Sequence, residues 1–141
     1  MIQFGKKIEG KEYKDRPGVY ALILSDDGLL GCVEGKFGGL MLAGGGIDNG
    51  ETDEEALRRE IMEEMVREVA LAKFVGEANE YIDHPEKGPI NKICKYFITE
   101  LVAGEDGEGD RVTRWVIPEE FIKNSFQEAH AWAVKEFLLS K

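Results

Sequence analysis

Cysteine and basic residues are both scarce in this 141-residue chain, and each shortage excludes a class of protein. The two cysteines, Cys32 and Cys94, lie in apolar stretches and do not form a C-x-x-C pair. A disulfide framework is therefore excluded and a zinc site has no support, so we expect two buried, reduced thiols. The 18 Lys and Arg residues face 28 Asp and Glu residues, a net charge of −10. A protein this acidic lacks the broad basic surface that binds large nucleic acids.

Long hydrophobic runs are missing as well. The longest uninterrupted apolar segment, residues 19–24, falls far short of the roughly 20 residues that a membrane-spanning helix needs. Residues 1–7 contain no apolar core of a secretory signal, so we expect a cytoplasmic protein. Hydrophobic residues make up 43% and charged residues 33% of the chain, which is typical of a folded globular protein. The length predicts a single domain over residues 1–141.

The succession of apolar segments and turn signals predicts an α/β layered domain with a mixed sheet. Two strands, residues 19–24 and 29–33, are joined by the turn sequence Ser25-Asp26-Asp27-Gly28. We also predict strands at 37–42, 73–82, 93–102 and 111–117, a turn at 16–18, loops at 44–50, 83–89 and 104–110, and helices from 52, from 118 and over 126–139, the last with Asn124 or Ser125 as its cap.

A glycine-rich loop followed by an acidic helix is the most informative part of the sequence. Thr52 and Glu55 have the spacing of a capping box, and acidic residues fill the first turn, where they suit the helix dipole. At 100° per residue, Leu57, Ile61 and Met65 lie on one apolar arc. This face predicts a helix packed against the core.

Three carboxylates, those of Glu60, Glu63 and Glu64, lie together on the adjoining arc of this helix. Their mutual repulsion destabilises an isolated helix, and a hard cation with oxygen ligands reverses the sign of that interaction. Arg59 lies four residues before Glu63, at a spacing that lets it hold carboxylates by hydrogen bonds. The glycines at 44–46 allow close backbone approach, with carbonyls available to a metal and amides to a phosphate.

Seven positions of this stretch keep a recognisable spacing: Gly45, Glu51, Arg59, Glu60, Ile61, Glu63 and Glu64. The spacing resembles the signature of the Nudix hydrolases, G-x5-E-x7-R-E-U-x-E-E-x-G-U, in which U is apolar. Val66 replaces the late glycine, Arg67 replaces the apolar residue after it, and Ala43 stands where a proline is frequent. Because that glycine normally ends the helix as a left-handed cap, we expect the helix to run on towards Glu68 or Val69, or to end by another device.

The resemblance implies a Nudix-type α/β/α sandwich with a mixed central β-sheet. It also implies a metal-dependent hydrolase that cleaves a pyrophosphate linkage in a nucleoside diphosphate joined to another group, with Mg²⁺ or Mn²⁺ as cofactor. The small size favours a MutT-like enzyme that converts a nucleoside triphosphate to a monophosphate and pyrophosphate. On matching positions, the cations would be held by Glu60, Glu63, Glu64 and the Gly45 carbonyl, with Arg59 and Glu51 in support.

The general base and the substrate contacts rest on weaker signals. Tyr81 is a candidate for stacking on a base, although strand aromatics more often belong to the core. His84 is a candidate for substrate binding or for the general base, or it is an ordinary loop histidine, and His130 is a candidate for substrate binding or a packing residue. Candidate bases are Glu60, Glu86, Glu105 and Glu108, and candidate phosphate contacts are Arg16, Lys36 and Lys92.

Other functions stay open at this point. A hydrolase of ADP-ribose, an NDP-sugar or a dinucleoside polyphosphate would use the same carboxylates. A non-catalytic nucleotide-binding module would usually lack one of them, so the presence of Glu60, Glu63 and Glu64 favours an enzyme. We expect a small nucleotide as the partner, no large nucleic-acid surface and no membrane contact. The resemblance leaves a homodimer open.

Overall fold

A computed structural model describes residues 2–140 of the chain. Its strands are β1 (Gln3–Phe4), β2 (Lys14–Leu24), β3 (Leu30–Glu34), β4 (Leu40–Leu42), β5 (Gly44–Gly46), β6 (Val69–His84), β7 (Gly88–Leu101) and β8 (Thr113–Val116). Its helices are α1 (Asp53–Met65), α2 (Pro118–Asn124) and α3 (Glu128–Val134), and the π-helical turn Lys135–Leu139 continues α3. None of the helices in this described part is long and apolar enough to cross a bilayer.

The strands form one mixed sheet in the order β1-β6-β7-β2-β3-β4, with β5 paired to β2 and β8 paired to β3. Strands β6 and β7 make a long antiparallel hairpin, and β7 runs parallel to β2. A parallel pair needs a crossover connection between its strands. In the chain, the segment that connects β2 to the β6–β7 hairpin includes α1.

Alternation along β2 supplies the two cores of the sandwich. Val19 and Ala21 face α1 and pack with Leu57, whereas Tyr20 faces the opposite layer and packs with Phe121 of α2. The predicted α/β/α sandwich with a mixed central sheet is therefore confirmed. Burial of both free cysteines is also confirmed, since one lies in β3 and the other in β7.

Several predicted boundaries are wrong because strand pairing overrides local turn signals. Residues 16–18 lie inside β2, since they pair with β7, and Pro17 is tolerated because its missing N–H removes only one ladder bond. Residues 83–84 and 88–89 belong to the β6–β7 hairpin rather than to a loop. Residues 44–46 form β5 against β2, and only residues 40–42 of the predicted strand 37–42 are extended.

The last helix begins at Glu128 rather than at residue 126, and neither Asn124 nor Ser125 caps it. The carboxylate of Glu80, on β6, accepts hydrogen bonds from the backbone N–H groups of Glu128 and Ala129 at 3.2 and 2.8 Å. A buried carboxylate from another element thus caps the helix. Such a cap has no local sequence signal.

Helix α1 ends at Met65, so it does not run on towards Glu68. Val66 itself adopts the left-handed conformation, at φ 57° and ψ 47°, and its N–H donates to Met62. The acidic loop 104–110 is exposed, as a solvated loop predicts, but it also caps this end of the helix. The backbone N–H of Gly107 donates to the Met65 carbonyl.

Candidate active site

The glycines of β5 lie directly against α1. A Cβ added to Gly45 would lie 2.6 Å from the carboxyl carbon of Glu60, and one added to Gly44 would lie 2.0 Å from the Val19 carbonyl oxygen. Gly44 also has a φ of +143°, which disfavours residues with a side chain. Glycine at these two positions therefore lets the carboxylate of Glu60 rest on the backbone of the loop.

Arg59 connects the segment 46–51 to the helix through hydrogen bonds to four residues and an ion pair with Asp48 at 3.4 Å. Its Nε and Nη2 donate to the two carboxylate oxygens of Glu51 at 2.7 and 2.9 Å, a bidentate pair. Nη1 donates to Glu60 at 3.0 Å and to Glu63 at 3.2 Å. Nη2 also donates to the Gly46 carbonyl at 3.1 Å. The hydrogen bonds from Arg59 lower the pKa of Glu51, so this support stays ionised at neutral pH.

Glu64 is the most buried of the four signature glutamates, with only 7% of the residue exposed. Its Oε1 accepts a 2.8 Å hydrogen bond from the Gly44 N–H. Burial nevertheless raises the pKa of Glu64 to about 8, and burial also raises the pKa of Glu60. Because burial penalises the charged form, both carboxylates would be stabilised as anions by a cation.

The signature residues have oxygen atoms that suit a hard cation, but their side chains do not surround one common position. Among residues 2–140, no three Asp, Glu, His or Cys side chains stand close enough together to hold a single ion. The carboxylates of Glu60 and Glu63 accept hydrogen bonds from Arg59, and the carboxylate of Glu64 accepts one from the Gly44 N–H. Carboxylate and carbonyl oxygens are the ligands that Mg²⁺ and Mn²⁺ take, so the donor chemistry fits.

A cleft of about 520 Å³ opens above this group, a volume in the range of small-molecule sites. Its lining includes β5 with Asp48, Glu60 and Glu64, five positively charged side chains, and His84. Apolar and aromatic side chains form its walls. These are Val33, Phe37, Met41, Ile47, Ile82, Ile90 and Phe126.

The weaker predicted residues divide between the cleft and the core. His84 lines the cleft, where its Nδ1 accepts the N–H groups of Glu86 and Lys87 at 3.1 and 3.0 Å. His130 is fully buried, with Nδ1 at 2.9 Å from the Tyr96 hydroxyl, and burial lowers its pKa well below the usual value. It therefore packs beneath the sheet as a neutral side chain.

Tyr81 points away from the cleft and contacts Tyr13, with ring centroids 5.3 Å apart. The predicted phosphate contacts all line the cleft: Arg16, Lys36 and Lys92. Of the candidate bases, Glu60 and Glu86 line it, whereas Glu105 and Glu108 lie in the exposed loop beyond the C-terminal end of α1. Sequence reasoning missed the roles of Phe126 and Arg111 in lining the cleft; their sequence context carries no signal for it.

Comparisons with known proteins agree with this geometry. The NUDIX domain family model matches residues 14–138. The chain is similar to the crystal structure of a MutT NUDIX hydrolase from Burkholderia pseudomallei, with 23% identity, a TM-score of 0.72 and coverage of 88% of this chain and 98% of that one. It is also similar to a MutT protein from Methanosarcina mazei Go1, with 20% identity, a TM-score of 0.72 and coverage of 89% and 93%. No curated protein matches the chain significantly.

At 23% and 20% identity, the similarity to these two structures shows that the chain shares their fold. The family match extends over nearly the whole described chain and includes the loop, the helix and the strands around the cleft. The chain therefore belongs to the Nudix hydrolase family, a group that acts on pyrophosphate bonds of nucleotide-like substrates, and it has the fold of the MutT structures.

Proposed function

We propose that this protein hydrolyses a pyrophosphate bond in a nucleoside triphosphate, releasing the monophosphate and pyrophosphate, with Mg²⁺ or Mn²⁺ as cofactor. The observation that carries the proposal is the placement of Glu60 and Glu64 against the glycine loop at the end of a nucleotide-sized cleft. The choice of a triphosphate rests on the small size of the chain, which favours a MutT-like enzyme.

The cations would be held by Glu60, Glu63, Glu64 and the Gly45 carbonyl oxygen. When bound, they would neutralise the charge of the phosphates and acidify a water molecule. Arg59 and Glu51 are positioning residues, because they fix the loop to the helix without reaching the cleft. Two of the ligands and the loop backbone are thus held by one guanidinium.

The reaction needs one water and one proton acceptor. The water oxygen forms a bond to the attacked phosphorus, the bond from that phosphorus to the bridging oxygen breaks, and pyrophosphate leaves with the bridging oxygen. The water proton passes to a carboxylate of the cleft. Glu60 lies against Gly45 and lines the cleft, whereas Glu86 is held 2.9 Å from Lys36. Glu60 is therefore the better placed acceptor.

Product analysis tests the proposal. The protein would be incubated with nucleoside triphosphates, ADP-ribose, NDP-sugars and dinucleoside polyphosphates, in Mg²⁺, Mn²⁺ or EDTA, with products identified by mass spectrometry. Metal-dependent release of monophosphate and pyrophosphate is the expected result. Cleavage of only ADP-ribose, a sugar nucleotide or a dinucleoside polyphosphate would keep the chemistry and overturn the substrate. No turnover with nucleotide still bound would favour a binding module.

A matched pair of variants assigns the activity to the site. Glu64→Gln keeps an oxygen that accepts from the Gly44 N–H but loses the charge, and we expect turnover to fall by roughly 1000-fold. Glu54→Gln is the control, because Glu54 lies on the exposed face of the same helix and pairs only with Arg58 among its described neighbours. Equal activity in the two variants would remove Glu64 from the mechanism.

A further inference from the structure

The cleft continues beyond the glutamates over one face of the sheet. Ile82 on β6 pairs with Ile90 on β7, and Lys92 pairs with Arg16 on β2. These four side chains all line the cleft. Because residues two apart on a strand share a face, they form a floor that is apolar towards the β6–β7 turn and basic towards β2.

Lys92 is held in a fixed position on this floor. Its Nζ donates a 2.9 Å hydrogen bond to the Oε1 of Gln127, which is fully buried, and lies 5.2 Å from the ring centre of Tyr20. An ammonium carries three N–H donors and no acceptor, and only one of the three is used by Gln127. Two donors therefore remain for a group bound in the cleft.

Two further polar groups near Lys92 are hydrogen-bond donors. Nδ1 of His84 accepts two backbone N–H groups, so the proton of the neutral ring lies on Nε2 and that nitrogen donates. Burial and the charge of Lys87 lower the pKa of His84, which keeps the ring neutral at pH 7. The Nε2 of buried Gln127 has no partner among residues 2–140. Two nearby carboxylates already have partners: that of Glu80, the cross-strand neighbour of Lys92, accepts the N–H groups of Glu128 and Ala129, and that of Glu86 is paired with Lys36.

The apolar side chains towards the β6–β7 turn fit a flat ring. Ile82 and Ile90 form the floor, and the rings of Phe37 and Phe126 border the opening with 41% of each residue exposed. Burying an anion against aliphatic side chains is costly, whereas a heterocycle gains from contact with such surfaces and with aromatic rings.

We propose that Lys92 selects the nucleobase, favouring rings that present a carbonyl oxygen over rings that present an exocyclic amine at the same position. The preferred substrates are hypoxanthine, guanine and uracil nucleotides, and the disfavoured ones are adenine and cytosine nucleotides. The inference rests on the proposed function for the class of ligand, a nucleotide, and adds the feature of the base that is recognised.

The chemistry of the two kinds of ring carries the discrimination. A carbonyl oxygen accepts from the ammonium, whereas an amine in its place brings N–H groups against N–H groups. A site built from fixed polar groups rejects a partner of the wrong hydrogen-bonding sense more strongly than an apolar pocket rejects a change of size. Lys92 is such a group because Gln127 and Tyr20 fix its position.

Two pairs of substrates test this with the base edge as the main variable: ITP against ATP, and UTP against CTP. We expect kcat/KM to be roughly 10- to 100-fold higher for the carbonyl member of each pair. Lys92→Met keeps the aliphatic stem and removes the donors, so both ratios should fall to within about threefold of one. Lys92→Arg restores donors and should restore a preference in the same direction.

Lys95→Met is the matched control. Lys95 lies on the opposite face of β7, where it pairs with Asp53 at 3.2 Å. Loss of this charge leaves the cleft unchanged, so both ratios should stay at their wild-type values. Circular dichroism and thermal melting of each variant would show that the folds are equal. Equal or reversed preference in the wild type, or an unchanged ratio in Lys92→Met, would overturn the proposal.

Binding of monophosphates separates this proposal from the proposed function. Calorimetric titration of IMP against AMP, and of UMP against CMP, without divalent cations requires no turnover. Tighter binding of IMP and UMP with no cleavage of any triphosphate would sustain base selection and overturn the catalytic proposal. Cleavage of triphosphates with no preference in either assay would overturn base selection alone. Absence of both binding and cleavage would overturn both.

Discussion

Helix α1 carries three of the signature glutamates, and its two ends are stabilised in different ways. At the N-terminal end, the Thr52 hydroxyl accepts the Glu55 N–H at 3.1 Å, and the Glu55 carboxylate accepts the Thr52 N–H at 2.9 Å. This reciprocal cap uses residues three apart in the sequence. The loop just before it is fixed by the pair between Glu51 and Arg59. The cap that starts the helix thus lies within its own neighbourhood in the sequence.

The C-terminal end depends on a segment far away in the sequence. Val66 takes the left-handed position that glycine normally occupies. The carbonyls of Glu63 and Met65 accept N–H groups from Asp110 and Gly107 at 2.8 and 2.9 Å. Orphan carbonyls of a helix end are thus satisfied by the loop 104–110. A helix end can therefore be set by tertiary contacts even when its own capping residue is unfavourable.

Gly109→Ala gives the largest effect expected at the C-terminal end. A Cβ at this position would lie 2.4 Å from the carbonyl oxygens of both Glu63 and Glu64, so the loop must move off the helix. We expect the free energy of unfolding to fall by about 2–3 kcal/mol. Urea denaturation measures it, with Glu108→Ala, an exposed neighbour, as the control. A loss below about 0.5 kcal/mol for Gly109→Ala would show that the loop does not fix this end.

Arg59→Lys tests the N-terminal side through activity. Lysine cannot make the bidentate pair with Glu51 while also reaching Glu60 and Glu63. We expect kcat/KM for the triphosphate that the wild type cleaves best to fall by about 10- to 100-fold, with little change in stability. Arg58→Lys is the control, because Arg58 is exposed and pairs with Glu54. Equal activity in both lysine variants would contradict a positioning role for Arg59.

Thr52→Ala measures the local cap alone. The substitution removes the hydroxyl that accepts the Glu55 N–H, and loss of such a cap costs about 1 kcal/mol. Thermal and urea unfolding should both show the loss, whereas Thr52→Ser, which keeps the hydroxyl, should lie close to wild type. If the serine variant lost as much as the alanine variant, the methyl group and not the hydrogen bond would be responsible.

The same contrast explains which features the sequence predicts. The capping box, the apolar arc of α1 and the burial of Ile61 follow from residues close together in the chain, and the structure has them. The sequence predicts a loop where β5 forms, because glycine has low strand propensity. The strand forms because Gly44–Gly46 pairs with β2, and pairing of distant segments leaves no local signal.

The cleft shows the same limit. The sequence places Glu60 and Glu64 on one helix face, and the structure brings both to the cleft. The sequence does not indicate that Lys92 donates a hydrogen bond to Gln127, which lies 35 positions further along the chain. Nor does the sequence indicate that α3 is capped by Glu80 instead of by Asn124 or Ser125. Contacts of this kind arise from the register of β6 and β7, which is settled only when the whole sheet forms.

Val66→Gly gives the smallest expected effect, and its sign decides how the C-terminal end is stabilised. A β-branched residue at φ 57° is strained, and the left-handed region costs a non-glycine residue about 1–2 kcal/mol. Glycine removes that cost but loses contact with Gly107 and gains chain entropy when unfolded. We expect a net gain of about 0.5–1 kcal/mol in the free energy of unfolding. Val112→Gly is the control, since Val112 is exposed and has no positive φ, and it should lose stability. A loss in both variants would mean that the Val66 side chain stabilises the loop 104–110 by more than its backbone strain costs.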